Sequence, residues 1–263
     1  MDLLGRIERY YDEVPRSTAR VEEHGTVRLF VGTGPWPYYG RPSGRDGALA
    51  DDVAEVVARQ RELGVPRALE WVEEVTPGLA EAVTAAGLTV HRYPLLVLDR
   101  PQRAAPVPGV AVRIAGADDR GIAAARAAIE IGFAHGGVDR GQAGTRERDA
   151  RVQAGDGAAD AFVRDLIRDG LAVMAIAESR QGPIGGGSAQ PRADVAELTG
   201  IATLPAFRRR GVGLAITAAL VAEVGRRGVE VVFLSAGGDD IARIYERAGF
   251  RRLAHACIAE EAR

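Results

Sequence analysis

A-E-L-T-G-I-A-T-L-P-A-F-R-R-R-G-V-G-L-A-I-T-A-A-L, residues 196–220, is the stretch on which the reading of this chain depends. It opens as an apolar, β-branched run, is stopped by Pro205, and turns through Arg208, Arg209, Arg210, Gly211, Val212 and Gly213 into an alanine-rich helix. A turn of that kind leaves backbone N–H groups without intrahelical partners at the positive end of a helix dipole. Glycines let an anion come close to the main chain. The expected anion is a phosphate.

The rest of the chain limits what such a site can serve. With 263 residues, 46% of them hydrophobic, it can bury one large core or two modest ones, and the length favours two. The net charge of -2 gives no support to a nucleic-acid partner. No apolar run is long enough to span a bilayer, and the opening M-D-L-L-G-R lacks a signal-peptide design, so a cytosolic protein without membrane contact is expected. One cysteine, Cys257, and 4 scattered histidines make neither a disulfide framework nor a zinc pattern, and metal dependence is not expected. The chain contains no lysine and no asparagine, so all 34 basic residues are arginines. That bias lowers the weight of any single arginine, or of an aspartate standing where asparagine is usual.

Outward from the turn, the pattern predicts a helix to about residue 227, a buried-type strand at 229–235, a helix at 239–248 and a final strand at 250–258. Before it come a strand at 110–114, a helical region at 115–134, a polar glycine-rich loop at 136–157, a helix at 158–169, and strands at 171–178, 184–189 and 195–204. Residues 100–108 hold three prolines and read as an interdomain linker, which divides the chain into 1–104 and 105–263. In the first part we expect a helix and turn up to 24, a strand at 26–32, a helix at 48–63 stopped by Gly64, a strand at 67–72, and a strand at 88–98. Between the last two lies a helix capped by Thr76 and Pro77 and stopped by Gly87. The aromatic loop Pro35-Trp36-Pro37-Tyr38-Tyr39 is open to two readings, a cleft lining or surface packing.

Arg208-x-x-Gly211-x-Gly213, followed roughly thirty-two residues later by Tyr245-Glu246-Arg247-Ala248-Gly249-Phe250, resembles the acyl-CoA signature and the C-terminal element of the GNAT family of acetyl-CoA-dependent N-acetyltransferases. The order of elements in 105–263 fits as well. The resemblance implies an α/β (α+β) fold with a mixed, mostly antiparallel central sheet flanked by helices, preceded by a smaller α/β domain. Residues 79–98, a helix ending Ala85-Ala86-Gly87 and then a strand, carry a fainter likeness, as of a degenerate companion half without the arginine-glycine turn.

By that resemblance, acetyl-CoA is the co-substrate and an amine of a small molecule or peptide is the acceptor. Ile201, Ala202 and Thr203 are expected to offer main-chain contacts to the pantetheine arm, as a strand edge can to an added strand. Arg209, Arg210, Gly211, Val212, Gly213 and Leu214 would present amides to the pyrophosphate, with Arg208, Arg209 and Arg210 adding charge. Glu197, four residues before Ile201, is the candidate general base, because an alkylamine titrating near ~10.4 arrives protonated. Strand alternation would set Glu197, Thr199, Ile201 and Thr203 on one face, and Asp194 is the nearest substitute. Tyr245 is the candidate donor to the departing sulfur. Asp240, beside Asp239, stands where the family often has an asparagine that orients the cofactor. His135, before Gly136 and Gly137, is open to an acceptor-facing or a packing role. His24, His91 and His255 show no partners in sequence, and Cys257 reads as a buried small residue.

Other classes fit less well. A dinucleotide-binding turn would need glycine where Ile216 stands, a triphosphate loop would need Gly-Lys-Ser/Thr, and no aromatic residues are interleaved with the arginines for stacking on single strands. The competing reading is a non-catalytic acyl-CoA-binding regulatory module, which would keep the turn and lose the proton chemistry. Homodimer formation is among the roles open to the N-terminal part.

Overall fold

The computed structural model describes residues 2–35, 38–44, 49–155 and 157–262. The chain divides into two compact units, Leu96–Arg252 and a second made of Met1–Leu95 with Leu253–Arg263.

The unit that contains the chain's beginning is built from α1 (Leu3–Glu13), β1 (Ala19–His24), β2 (Val27–Gly32), β3 (Gly40–Pro42), α2 (Ala50–Leu63), β4 (Ala68–Val72), α3 (Leu79–Ala85) and most of β5 (Thr89–Leu98). Asp2 caps α1 by accepting from the Gly5 amide at 2.7 Å, and Gly64 stops α2 in the left-handed region at φ 65°. β1 and β2 form an antiparallel hairpin from Ala19↔Gly32 to His24↔Val27, and β3 joins β4 in parallel at Gly40↔Leu69. β4 pairs antiparallel with Ala256 to Glu260 from the end of the chain. Val53 and Val56 of α2 bury against Leu69, Trp71, Val83 and Cys257, and burial pushes the Cys257 thiol up to about 12.

Two expectations need correction here, and a third falls partly outside the described residues. Residues 19–24 form a strand rather than a turn. Thr76 does not cap α3: it is fully buried in the turn after β4, its amide bonded to the Val72 carbonyl at 3.1 Å, and the helix starts from Gly78 at φ 87°. A chain already reversing direction at Val72 uses a glycine to enter the helix instead. Of the aromatic loop, Trp36 and Pro37 lie outside the described residues, while Tyr38 hydrogen-bonds Thr18 and Tyr39 hydrogen-bonds Glu70.

Glu70 lies near Arg41, whose guanidinium is almost fully buried and stacks 4.2 Å from the centre of the Tyr11 ring. Burial raises the Glu70 carboxyl from 4.5 to about 7, against the opposing pull of Arg41 and Tyr39. The folded state therefore holds this proton more tightly than the unfolded chain. The stability it confers is complete below about pH 4.5, falls as pH rises, and is lost above about pH 7. The expected loss across that window is about 2–3 kcal/mol, and urea titrations at pH 5 and 8 should show it shrink in Glu70→Gln.

The larger unit continues with β6 (Ala111–Ile114), α4 (Ile122–Ala134), α5 (Thr145–Ala154), α6 (Ala158–Arg168), β7 (Val173–Ser179), β8 (Gly182–Arg192), β9 (Val195–Thr203), α7 (Val212–Arg226), β10 (Val231–Ser235), α8 (Asp239–Arg247) and the start of β11 (Phe250–Glu260). Its strands lie in the order β6-β7-β8-β9-β10. The first four pair antiparallel and β10 runs parallel to β9. Ile216, Leu220 and Val224, one turn apart on α7, bury into the main core, while Ile122 and Ala125 of α4 pack with Met174 and Ile176.

Two further readings change. The stretch 136–157 includes helix α5, so three helices rather than two precede the strand meander. α5 is polar on all sides and shows no apolar period. It is held by Arg148, 5% exposed, which donates to the carbonyls of Gln181 and Pro183 at 2.9 and 2.6 Å. The proline-rich segment read as a linker belongs to this unit. The amides of Asp99 and Arg100 donate to the Gly249 carbonyl at 2.9 and 3.1 Å, and Val107 packs on the main core.

Candidate active site

β9 supplies the first half of the site, and a bulge decides its geometry. On β8 Gly186 and Ser188 are two positions apart, whereas their partners Ala202 and Thr199 are three apart on β9. The extra residue falls at Gly200, whose φ of 63° is a glycine conformation. Cross-strand partners share a face and alternate along each strand. A Cβ on Gly186 would touch Ala125 and Ile129 of α4, so Gly186 marks the α4 face, and with it Ala202, Thr199 and Glu197. A Cβ on Gly187 would meet Ile201 and Ile216 instead, which puts Ile201 on the α7 face, with Thr203 opposite Gly185.

The expected single face of Glu197, Thr199, Ile201 and Thr203 is therefore broken: the bulge shifts the parity between Thr199 and Ile201. Three consecutive glycines in β8, Gly185, Gly186 and Gly187, together with Gly132 in α4, make the close approach possible. A Cβ on them would come within 2.6, 2.9, 2.7 and 2.8 Å of neighbouring atoms respectively. These positions were missed in sequence. Glycines inside a strand pattern were the signal that could have found them.

On its other edge β9 pairs with β10 only from Val195↔Val231 to Glu197↔Phe233. Beyond Glu197 the two strands part, so the β9 edge through Ile201, Ala202 and Thr203 is not engaged by β10. Such an edge can take an extended ligand through main-chain hydrogen bonds.

The arginine turn follows directly. Pro205–Phe207 form a single 3-10 turn, Arg209 has φ 61°, Gly211 has φ 83°, and α7 begins at Val212. The first helical bond runs from the Ala215 amide to the Gly211 carbonyl at 3.0 Å. The amides of Arg209, Arg210, Gly211, Val212, Gly213 and Leu214 find no acceptor among the described residues. The space a Cβ on Gly213 would take is open. This is a run of amides without acceptors at the positive end of a fifteen-residue helix.

The three arginines do three different things. Arg210 lies over the Phe207 ring, 5.2 Å from its centre, and Arg209 is exposed. Arg208 turns away toward the end of α4, donating to the Gly132 carbonyl at 2.6 Å, Gly136 at 2.7 Å and Asp139 at 3.2 Å. Burial lowers the pKa of its guanidinium from the usual value.

Tyr245, on α8, is half-buried in the apolar cluster that also holds Val107 and Ile201, with its ring edge-on to Phe250 at 5.9 Å. Burial pushes its phenol up to about 12. Val107 lies 3.8 Å from where a Cβ on Gly211 would sit, which links this cluster to the arginine turn. Asp240 is exposed and ion-paired with Arg243 one turn along α8. His135 is exposed and bends back on α4, its Nδ1 donating to the Ile131 carbonyl at 2.9 Å. Among the described residues no group of three or more His, Cys, Asp or Glu is placed to hold a metal, and no helix is long and apolar enough to cross a membrane.

A mixed, mostly antiparallel sheet flanked by helices, with two strands parting beside a donor-lined helix start, is the fold that the sequence resemblance leads one to expect. The family model described as "Acetyltransferase (GNAT) domain" matches residues 170–252, and the GNAT likeness is carried by that stretch. A search of curated proteins gives no match. Among solved structures the chain is similar to a GCN5-related N-acetyltransferase from Kribbella flavida, with 20% identity over 100% of this chain and 97% of that one and a TM-score of 0.71. It is also similar to a tandem GNAT protein from the clavulanic acid biosynthesis pathway, with 17% identity over 90% of this chain and 79% of that one and a TM-score of 0.58. A GCN5-related N-acetyltransferase-like protein from Streptococcus suis 89/1591 shares 11% identity over 98% of this chain and 97% of that one, with a TM-score of 0.56. These likenesses speak to the fold.

Proposed function

We propose that the GNAT domain transfers an acetyl group from acetyl-CoA to a primary amine of a small molecule or peptide. The observation that carries this is the run of amides from Arg209 to Leu214 without acceptors, at the start of α7 and inside the matched domain. A pyrophosphate fits those donors, with Arg209 and Arg210 adding charge. The free edge at Ile201, Ala202 and Thr203 suits an extended arm. The thioester supplies an activated acyl group.

The chain's own residues then handle protons. Glu197, on the α4 face where β9 and β10 part, is assigned to take a proton from the incoming ammonium, directly or through water. Tyr245 is assigned to the departing sulfur. Its phenol at about 12 lies well above a thiol near ~8.5, so outright proton transfer to a thiolate is uphill by several pK units. A hydrogen bond from the neutral phenol costs nothing of the kind. That is the role left to it, with the proton released by the amine the better source for the thiol. Asp240 would reach the coenzyme only by leaving Arg243.

The N-terminal part, 1–104, fits a degenerate GNAT-like companion. It repeats the sequence strand, helix, parallel strand, helix, strand as β3-α2-β4-α3-β5, in parallel with β9-α7-β10-α8-β11.

Calorimetry with CoA and acetyl-CoA, followed by a free-thiol assay over amino acids, polyamines, aminoglycosides and peptide amines, tests the proposal. Tight CoA binding with no thiol release from any acceptor would favour a regulatory acyl-CoA-binding module. Tyr245→Phe is expected to lower turnover about 10- to 100-fold, with CoA affinity within about threefold of the parent. Unchanged turnover would remove the phenol from the mechanism.

A further inference from the structure

Arg208 opens the signature turn, and its position suggests a phosphate ligand. Its hydrogen bonds say otherwise. The side chain donates to the carbonyls of Gly132, Gly136 and Asp139. Gly132 lies in the last turn of α4, where unsatisfied carbonyls and the negative end of the dipole favour a cation. The same connection between α4 and α5 is tied to the entrance of the turn by main chain as well. The Gly141 amide donates to the Pro205 carbonyl at 3.1 Å, and the Ala206 amide to the Ala143 carbonyl at 3.0 Å. Fit is tight there: a Cβ on Gly141 would lie 2.9 Å from that of Pro205.

Residues 136–144 are thus strapped along the 205–208 segment, on the side of the sheet that carries α4 and Glu197. From this geometry we infer that Arg208 is a positioning residue. It couples the coenzyme turn to the α4–α5 connection, so that filling the amide cradle also orders the wall beside the acceptor. The inference rests on the acyl-coenzyme reading above. In mechanical terms, an anion that draws the Arg209 to Leu214 amides together fixes the backbone on which Arg208 is mounted. The guanidinium passes that restraint to three carbonyls outside the turn.

Hydrogen exchange over residues 136–144, with and without CoA, tests this in the full-length protein alongside calorimetric CoA affinity. In the parent, CoA should slow exchange across the segment. In Arg208→Gln, CoA affinity should stay within about threefold, while exchange at 136–144 becomes about tenfold faster and no longer responds to CoA. Arg208→Lys, which keeps one point-charge donor, should lie between the two, and it carries the same comparison if the glutamine variant loses its fold. A CoA affinity lowered more than about tenfold with unaltered exchange would overturn the inference and make Arg208 a phosphate ligand. Unaltered affinity and exchange would overturn it too. Failure of the parent itself to bind CoA is a different outcome: it removes the coupling together with the proposed function. Exchange in the ligand-free variants then reports only whether Arg208 ties down the segment.

Discussion

Gly249→Ala is expected to unfold the larger unit, Leu96–Arg252. The residue has φ 94°, and a Cβ there would lie 1.8 Å from the carbonyl oxygen of Arg100 and 2.9 Å from its carbonyl carbon. Neither atom is the tip of a flexible side chain. Both belong to a segment held in place by the Asp99 and Arg100 amides, which donate to Gly249's own carbonyl. Relief would require the turn after α8 to move away from residues 99–100, breaking those bonds and unseating Phe250 from the core. Backbone strain alone costs about 1–3 kcal/mol, and with the overlap the total should exceed about 4 kcal/mol, a large part of the stability of an ordinary domain. Insoluble protein, or a urea midpoint shifted far down, is the expected result. A midpoint equal to that of the parent would mean the chain does not approach itself so closely here.

Glu197→Gln should produce the largest fall in turnover of any substitution that leaves the fold intact. The change is isosteric, so the pairing of β9 with β8 and β10 should hold and CoA affinity should not move. Loss of a positioned base costs about 10²–10⁴-fold in turnover. Turnover within about twofold of the parent, measured with an acceptor found in the thiol-release panel, would transfer the role to another group or to water.

Legibility in the sequence varied with the kind of interaction that sets each element. Gly64 marked the end of α2 in advance, and the glycine turn leading into an alanine-rich run marked α7, because both depend on near neighbours in the chain. The strand 19–24 was not legible. Its residues are mostly charged, and it is a strand because it pairs with β2. α5 was missed for a similar reason: nothing in T-R-E-R-D-A-R-V-Q-A shows an apolar face, and its anchor is a buried arginine bonded to carbonyls more than thirty residues away. The Thr76 cap was a sound local signal overridden by the turn that follows β4.

For the candidate site, the sequence alone placed the glycine turn and the helix start that follows it. Arginine, glycine and helix at 208–226 lie next to one another in the chain, and a helix start exposes its amides whatever surrounds it. What only the tertiary structure decided is where the side chains around that turn go. One glycine bulge at Gly200 moved Ile201 off the face of Glu197, and one turn of backbone sent Arg208 to the end of α4 rather than toward an anion. Side-chain direction along a strand depends on every residue being in register. A partner's carbonyls can claim an arginine that the local sequence seems to leave free.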